Sequence, residues 1–166
     1  MVSIPIPIRP KTGQESVWDY PRPPRLEHTK KRIEIVFAGM GIVDAPEGFR
    51  VLETSHPPVY YVSPAFITPG VLRPAQGTSV CEWKGRADYF DVVANGRIAP
   101  RAAWRYQAPT DGFAAIAGFL AFYAGPMDHC RVAGEVVRPQ LGGFYGGWIT
   151  SDIIGPFKGE PGSLGW

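Results

Sequence analysis

The chain has 166 residues, of which 45% are hydrophobic, 13% aromatic and 19% charged, and its formal net charge is +2. These values are typical of a single globular domain, and they exclude a disordered chain because aromatic rings need burial. The small net charge and the absence of a basic run interleaved with aromatic residues exclude a nucleic-acid-binding protein. Glycine and proline number 20 and 18, and both disfavour helix interiors, so an all-β protein is predicted.

The N-terminal part is rich in proline, which favours an extended chain. Residues 1–15 are predicted to form a flexible arm, and residues 16–166 a single β domain. Trp18 and Tyr20 are expected to dock on this domain, because two large rings are unfavourable in water. Prolines interrupt the apolar core that a signal peptide would need, and no apolar run is long enough for a membrane span. No membrane partner is therefore predicted, and the expected location is the cytoplasm.

Alternation of apolar and polar residues predicts antiparallel strands separated by glycine-containing turns. The predicted strands are residues 33–37, 42–43, 49–53, 59–62, 81–85, 87–94, 97–106, 119–123, 130–132 and 135–137. Asn95-Gly96 joins the central hairpin and is typical of a type I′ turn. Trp104 is predicted to share a strand face with Tyr106, whereas Arg101 and Arg105 face the other way.

One short helix is predicted over residues 111–117, because Asp111 can cap it and the apolar residues after it have helical spacing. The tail, residues 142–166, consists largely of glycine and aromatic residues. It is predicted to be an irregular loop that covers the core, with aromatic rings packed against glycine backbone.

The chain has two cysteines, Cys81 and Cys130. No Cys-x-x-Cys pair is present, so no metal site is predicted and no cofactor is implied. The two thiols are expected to be free and mostly buried, in a reducing compartment, although a disulfide between them remains an alternative.

The first candidate site is Glu53-Thr-Ser-His-Pro-Pro58, where a predicted strand ends on a carboxylate. Pro57 keeps the preceding residue extended, which fixes the direction of His56. Glu53 and His56 could then orient each other or act as base and acid. The alternative is a polar turn in which His56 bonds to the backbone.

The second candidate is Cys81-Glu-Trp-Lys-Gly85. In a strand, Cys81 and Trp83 would face one way, with Glu82 and Lys84 facing the other. Lys84 could be presented to an anionic ligand, with a glycine beside it to allow close approach. The alternative is that the thiol and indole simply pack while the two charges form a solvated pair.

These segments resemble the domain-of-unknown-function 427 family, as do Thr54-Ser-His-Pro-Pro-Val-Tyr-Tyr61, Phe122-Tyr123, Gly142-Gly-Phe-Tyr-Gly-Gly-Trp148, Gly155-Pro-Phe-Lys-Gly159 and Ser16-Val-Trp-Asp-Tyr-Pro-Arg-Pro-Pro24. The resemblance covers residues 16–166. It implies a small bacterial all-β protein with a barrel-like or tent-like antiparallel sheet arrangement and an activity that is not established. The family is sometimes labelled a nucleotidyltransferase. Such a reaction needs closely placed carboxylates to hold magnesium, but Asp88 and Asp91 would lie on opposite strand faces.

Three functions follow as hypotheses. The first is a small-molecule pocket, with or without catalysis, whose ligand is not identified by the sequence and for which an anion is one candidate. In this pocket His56 would transfer protons, because its unperturbed pKa is near 6.5, and Glu53 would orient it. Lys84 would hold the anionic group of the ligand. Tyr61 and Trp104 would form the walls of the pocket. The second is a structural or protein-interaction module that uses the arm and the tail. The third is the nucleotidyltransferase of the family label; the oligomeric state is left open.

Overall fold

The structure, a computed structural model, describes residues 4–81 and 83–166. Strands account for 45% of the chain and helical turns for 7%, so the predicted all-β class is confirmed. The strands are β1 Glu15–Ser16, β2 Arg25–Thr29, β3 Ile33–Phe37, β4 Met40–Ala45, β5 Gly48–Leu52, β6 Val59–Tyr61, β7 Leu72–Cys81, β8 Gly85–Ala94, β9 Arg97–Tyr106, β10 Leu120–Phe122, β11 His129–Val132, β12 Glu135–Val136, β13 Arg138–Pro139, β14 Trp148–Ile149 and β15 Ile153–Ile154. Short 3-10 helices span Val17–Asp19, Pro64–Phe66 and Asp111–Ile116.

Two four-stranded antiparallel sheets form the body, in the orders β10-β9-β8-β7 and β12-β11-β3-β4. A three-stranded sheet, β2-β5-β6, is connected to the first of them by a bridge between Val62 and Leu120. Two small sheets, β13-β14 and the parallel pair β1-β15, complete the fold. Across the described ranges the strands thus form several open sheets and no closed barrel.

The hydrophobic residues of the sheets divide into three clusters, and the second cluster positions the candidate site. It contains Tyr61 from β6 and Trp104 and Tyr106 from β9, together with Phe113 and Ile116 from the third 3-10 helix. That helix is the one predicted, although Thr110 rather than Asp111 occupies its N-cap position. No helix in the described residues is long and apolar enough to cross a membrane.

The central hairpin has the predicted turn, but one of its faces differs from the prediction. Asn95 and Gly96 have φ values of 47° and 77°, as a type I′ turn requires. A register shift then interrupts the pairing of β8 with β9 beyond Phe90. Arg101 lies in the shifted stretch with φ 49°, and its guanidinium lies 4.1 Å from the centre of the Tyr89 ring.

The register shift moves Arg101 to the side of the sheet that carries Trp104. Tyr89 is paired directly with Trp104, so the two residues share a face. The predicted placement of Arg101 on the opposite face is therefore wrong. Strict alternation fails here because β9 contains extra residues that have no partner on β8.

Residues 81–85 do not form the continuous strand that was predicted. β7 ends at Cys81, Trp83 and Lys84 form a turn, and β8 begins at Gly85. Glu82 lies outside the described residues. Gly85 has φ 104°, a conformation that glycine adopts without strain and other residues rarely adopt. This turn presents Lys84 from a hairpin end rather than from a strand face.

The N-terminal segment is bound to the domain through charged and aromatic groups. Tyr20 is buried and Trp18 is half-buried. Trp18 donates from Nε1 to the Pro156 carbonyl at 2.9 Å, and Tyr20 donates its hydroxyl to Glu15 at 2.9 Å. Glu15 also forms a 2.6 Å ion pair with the buried guanidinium of Arg50. A boundary between arm and domain at residue 15 stays a prediction.

We expect these contacts to make two truncations differ in stability. Removal of residues 1–12 should lower the free energy of unfolding by less than about 1 kcal/mol, because the bonds it removes are made by exposed residues: one from Ile8 to the Gly155 carbonyl and two local bonds between Lys11 and Gln14. Removal of residues 1–24 should cost several kcal/mol, because buried side chains and a partner of a buried guanidinium are lost. Urea unfolding of both truncated chains measures the difference. Equal stabilities would contradict the docking of this segment.

Candidate functional site

A cavity of about 340 Å³ lies beside the second hydrophobic cluster, where the β7–β8 turn meets the chain after β5. All five side chains singled out from the sequence line it: Glu53, His56, Tyr61, Lys84 and Trp104. These residues come from four separate stretches of chain, so tertiary structure brings them together. The catalytic and binding roles expected for them stay predictions.

Glu53 and His56 reach the cavity from the turn that follows β5. Ser55 has φ 72° and reverses the chain, and the His56 backbone N–H donates to the Glu53 carbonyl at 3.0 Å. This places Nε2 of His56 3.7 Å from a carboxylate oxygen of Glu53. The same oxygen lies 3.6 Å from the Arg22 guanidinium. Glu53 is therefore shared between an imidazole and a fixed cation.

The buried amide of Gln140 determines which nitrogen of His56 carries the proton. Its Oε1 accepts from the Gly147 backbone N–H at 3.1 Å, and its Nε2 donates to the Lys158 carbonyl at 2.8 Å. The remaining N–H of the amide faces Nδ1 of His56 at 3.1 Å. Because an amide NH₂ can only donate, Nδ1 must accept. The neutral imidazole consequently carries its proton on Nε2, the nitrogen that faces Glu53.

The environment of His56 keeps its imidazole neutral. Burial, and after it the positive charges of Lys158, Arg22 and Lys84, lower the pKa of His56 to about 4. The folded environment thus moves the pKa away from the unperturbed value near 6.5 on which the expected proton-transfer role was based. At neutral pH its Nε2–H is a hydrogen-bond donor, and Nδ1 is already occupied.

Lys84 is the cation that the β7–β8 turn brings to the cavity. Its ammonium lies 5.7 Å from the centre of the Tyr106 ring and 6.0 Å from that of Phe113. Among residues 4–81 and 83–166, no carboxylate lies within ion-pair distance of it. The charge of Lys84 is thus in contact with aromatic rings and is not neutralised by any described residue.

Aromatic rings form the apolar walls. Trp104 donates from Nε1 to the Tyr61 hydroxyl at 3.3 Å, and its ring lies 4.6 Å from that of Tyr123. Burial raises the pKa of Tyr61 and of Tyr106 well above the usual range, so both hydroxyls stay protonated. The walls are therefore uncharged planar surfaces, as pockets for planar organic groups require.

The glycine-rich tail lines one side of the cavity through Phe144, Tyr145 and Gly146, and it shows the packing of an aromatic ring against glycine backbone that the sequence predicts. Gly146 lies flat against Trp104, and a Cβ there would be 2.2 Å from the indole ring. A Cβ on Gly147 would be 2.6 Å from the Pro57 carbonyl. Side chains at either position would push the tail away from the cavity.

Sequence reasoning missed Gln140 and Tyr145, which both line the cavity. The ring of Tyr145 packs edge-on against His56 with 5.1 Å between centres. No local sequence signal marks Gln140, because its three hydrogen bonds join segments that are distant in sequence.

Within the described chain, no group of three or more His, Cys, Asp or Glu residues is placed to hold a metal ion.

The match to a family model covers residues 25–133, and the model is described as a domain of unknown function (DUF427). The match spans more than half of the chain, and the chain belongs to this family. A search of the curated proteins finds no match. The matched range contains the five cavity residues predicted from sequence, whereas Gln140 and the glycine-rich tail follow it.

The lowered pKa of His56 predicts a specific pH dependence of stability. The unfolded chain binds a proton at this residue near pH 6.5, whereas the folded protein does so only near pH 4. The contribution of neutral His56 is complete above pH 6.5 and should be lost as the pH falls towards 4, by up to about 3 kcal/mol. Denaturant unfolding at several pH values should show this slope in the wild type.

The matched variant is His56→Asn, whose amide oxygen can still accept from Gln140 but which does not titrate. Its unfolding free energy should fall less than that of the wild type between pH 6.5 and 4. Parallel pH profiles for the two proteins would contradict the lowered pKa of His56, because the folded and unfolded chains would then bind its proton over the same pH range.

Proposed function

We propose that this member of the DUF427 family binds a small, planar organic anion in the cavity lined by Glu53, His56 and Lys84. The observation that carries the proposal is Lys84, a cation in a largely aromatic cavity with no carboxylate partner among the described residues. Lys84 is half-buried, and a charge that is partly removed from water without an acidic partner is unfavourable, so an anionic ligand would supply that partner.

The electrostatics around His56 support an anionic ligand. The charged groups that lower its pKa, namely Lys158, Arg22 and Lys84, are all cations. The one acidic residue that lines the cavity among the described residues, Glu53, is paired with Arg22 at 3.6 Å. The balance of charge near the cavity is therefore positive, which attracts negatively charged molecules.

The shape and the walls of the cavity support a planar organic group. Trp104, Tyr61 and Tyr106 offer uncharged ring surfaces, and a volume of about 340 Å³ suits a small molecule. His56 would donate from Nε2 to an acceptor of the ligand. For a reaction on the bound anion, Glu53 is the better proton acceptor, because one ring nitrogen of His56 is bonded to Gln140 and the other carries a proton.

A second candidate function is docking of a protein partner, and it is supported by exposed apolar residues at the rim of the cavity. Val80 and Phe144 line the cavity and are 80% and 68% exposed. On the N-terminal arm, Ile4 and Ile6 are also largely exposed. Exposed apolar side chains grouped in this way are typical of interaction surfaces.

Thermal unfolding in the presence of benzoate, cinnamate and phenyl phosphate tests the first function. A ligand at 100 times its dissociation constant should stabilise the wild type by about 2.7 kcal/mol. Lys84→Met should keep the melting temperature of the free protein and lose this ligand-induced shift. Arg86→Met removes the same charge two residues away, at a side chain that is 71% exposed and does not line the cavity. It should keep the full shift.

Two outcomes would count against the proposal. If none of these anions, nor a wider set of planar carboxylates and phosphates, shifts the melting temperature, the cavity does not bind this class. If Lys84→Met responds as the wild type does, Lys84 does not hold the anion. Neutral amides of the same acids serve as ligand controls and should produce smaller shifts.

A further inference from the structure

A second and larger cavity of about 600 Å³ adjoins the one described above. The two cavities share part of their walls, and the shared residues are Tyr89, Tyr123, Gln140, Phe144, Tyr145 and Gly146. The shared residues include a short piece of the tail, residues 144–146, which lies at the boundary of the two cavities. A molecule longer than the first cavity could extend along this shared wall into the second.

The piece at the boundary, residues 144–146, is held at its two ends. The Tyr123 hydroxyl donates to the Phe144 carbonyl at 2.9 Å, and Gly146 lies against the indole of Trp104. Between them, the Tyr145 ring packs on His56. The side chain of Phe144, the first residue of this piece, is 68% exposed.

Arg101 is the basic side chain that lines the second cavity. Its guanidinium lies over the Tyr89 ring at 4.1 Å and donates to the Gln76 carbonyl. Its backbone N–H donates to Asp91 at 2.9 Å, but within the described chain no carboxylate forms an ion pair with the guanidinium itself. Arg101 thus resembles Lys84, because each cation contacts a tyrosine ring and has no described acidic partner.

The backbone of the tail adds hydrogen-bond donors to the same wall. Leu141 and Gly142 form a turn, whereas the N–H groups of residues 144–146 have no acceptor in the part of the chain that the structure describes. Gly142 and Gly143 have φ values of 103° and 70°, so this stretch is held out of regular structure. Free backbone donors beside a guanidinium are a typical environment for a carboxylate or a phosphate.

We propose that the two cavities are two subsites for one extended ligand, an aromatic molecule with an anionic group at each end. One anionic group contacts Lys84 and the other contacts Arg101, and the planar centre lies along the wall that both cavities share, next to Tyr89. This inference rests on the proposed function of the first cavity and specifies the ligand class further. A ligand with two anionic groups would bind to both cations, whereas a shorter monoanion would bind to only one of them. The site would therefore discriminate against the monoanion through its lower affinity, although the monoanion fits the cavity.

Isothermal titration calorimetry with a series of rigid aromatic acids tests the proposal of two subsites. The series consists of phenyl, biphenyl and terphenyl dicarboxylates, each compared with the monocarboxylate of the same ring system. At one length in the series, the dicarboxylate should bind the wild type at least about tenfold more tightly than its monocarboxylate. Arg101→Gln should remove this gain and leave monocarboxylate binding unchanged, and Arg101→Lys should restore part of it.

A blocking variant tests the second cavity without removing a charge. Gly125 lines only the larger cavity, and a Cβ there would meet nothing within 4 Å. Gly125→Phe should fill that space and abolish the gain of the dicarboxylate. Gly112→Phe is the matched control, because Gly112 also has open space at its Cβ and lines neither cavity. It should bind as the wild type does.

The outcomes separate this inference from the proposed function. Monocarboxylate binding without any gain for a dicarboxylate would overturn the two-subsite proposal while the proposed function stands. Loss of monocarboxylate binding in Arg101→Gln would also overturn it, because the two cations would then hold the same group. Absence of binding by every acid in the series would overturn both.

Discussion

The arrangement of the candidate site depends on one buried amide, that of Gln140. Its two polar ends satisfy Nδ1 of His56, the Lys158 carbonyl and the Gly147 backbone N–H, which belong to three separate segments. Loss of the amide would leave three buried or half-buried groups without a partner, at about 1–3 kcal/mol for each one that water does not reach. Because all three bonds exist without a ligand, the orientation and the tautomer of His56 are fixed in advance. A ligand therefore meets a preorganised donor and does not have to order it.

The glycine backbone of the tail is the second constraint, and it acts through shape. Gly146 contacts the face of Trp104, and Gly147 contacts the Pro57 carbonyl, both at distances that no Cβ could occupy. The tail can approach the rings this closely only because it has no side chains there. The two residues before Gly146, Phe144 and Tyr145, line both cavities. Both cavities thus lie beside a backbone that contacts the aromatic wall at Gly146.

The sequence predicts local structure well in this protein and long-range contacts poorly. The Asn95-Gly96 turn and the alternation in β8 and β9 follow from turn chemistry and side-chain period, which are local properties. Glu53 and His56 could be paired because they are three residues apart. Gln140 could not be found, since its partners lie far away in sequence, and Arg101 was assigned to the wrong face because an irregular pairing broke the alternation. The missed residues are those whose roles depend on contacts between segments.

Both cations that line the cavities contact aromatic rings, and neither forms an ion pair with a carboxylate among residues 4–81 and 83–166. Lys84 lies over Tyr106, and Arg101 lies over Tyr89. A carboxylate partner would fix a cation but would also neutralise it, and an incoming anion would have to displace that partner. A ring attracts the cation through its quadrupole, by about 0.5–2 kcal/mol, and leaves its net charge unchanged. The cation is positioned and its full charge remains for a ligand. Arg50, which is paired with Glu15 and Glu27, shows the opposite arrangement in the same protein, where the guanidinium is buried and holds the fold together.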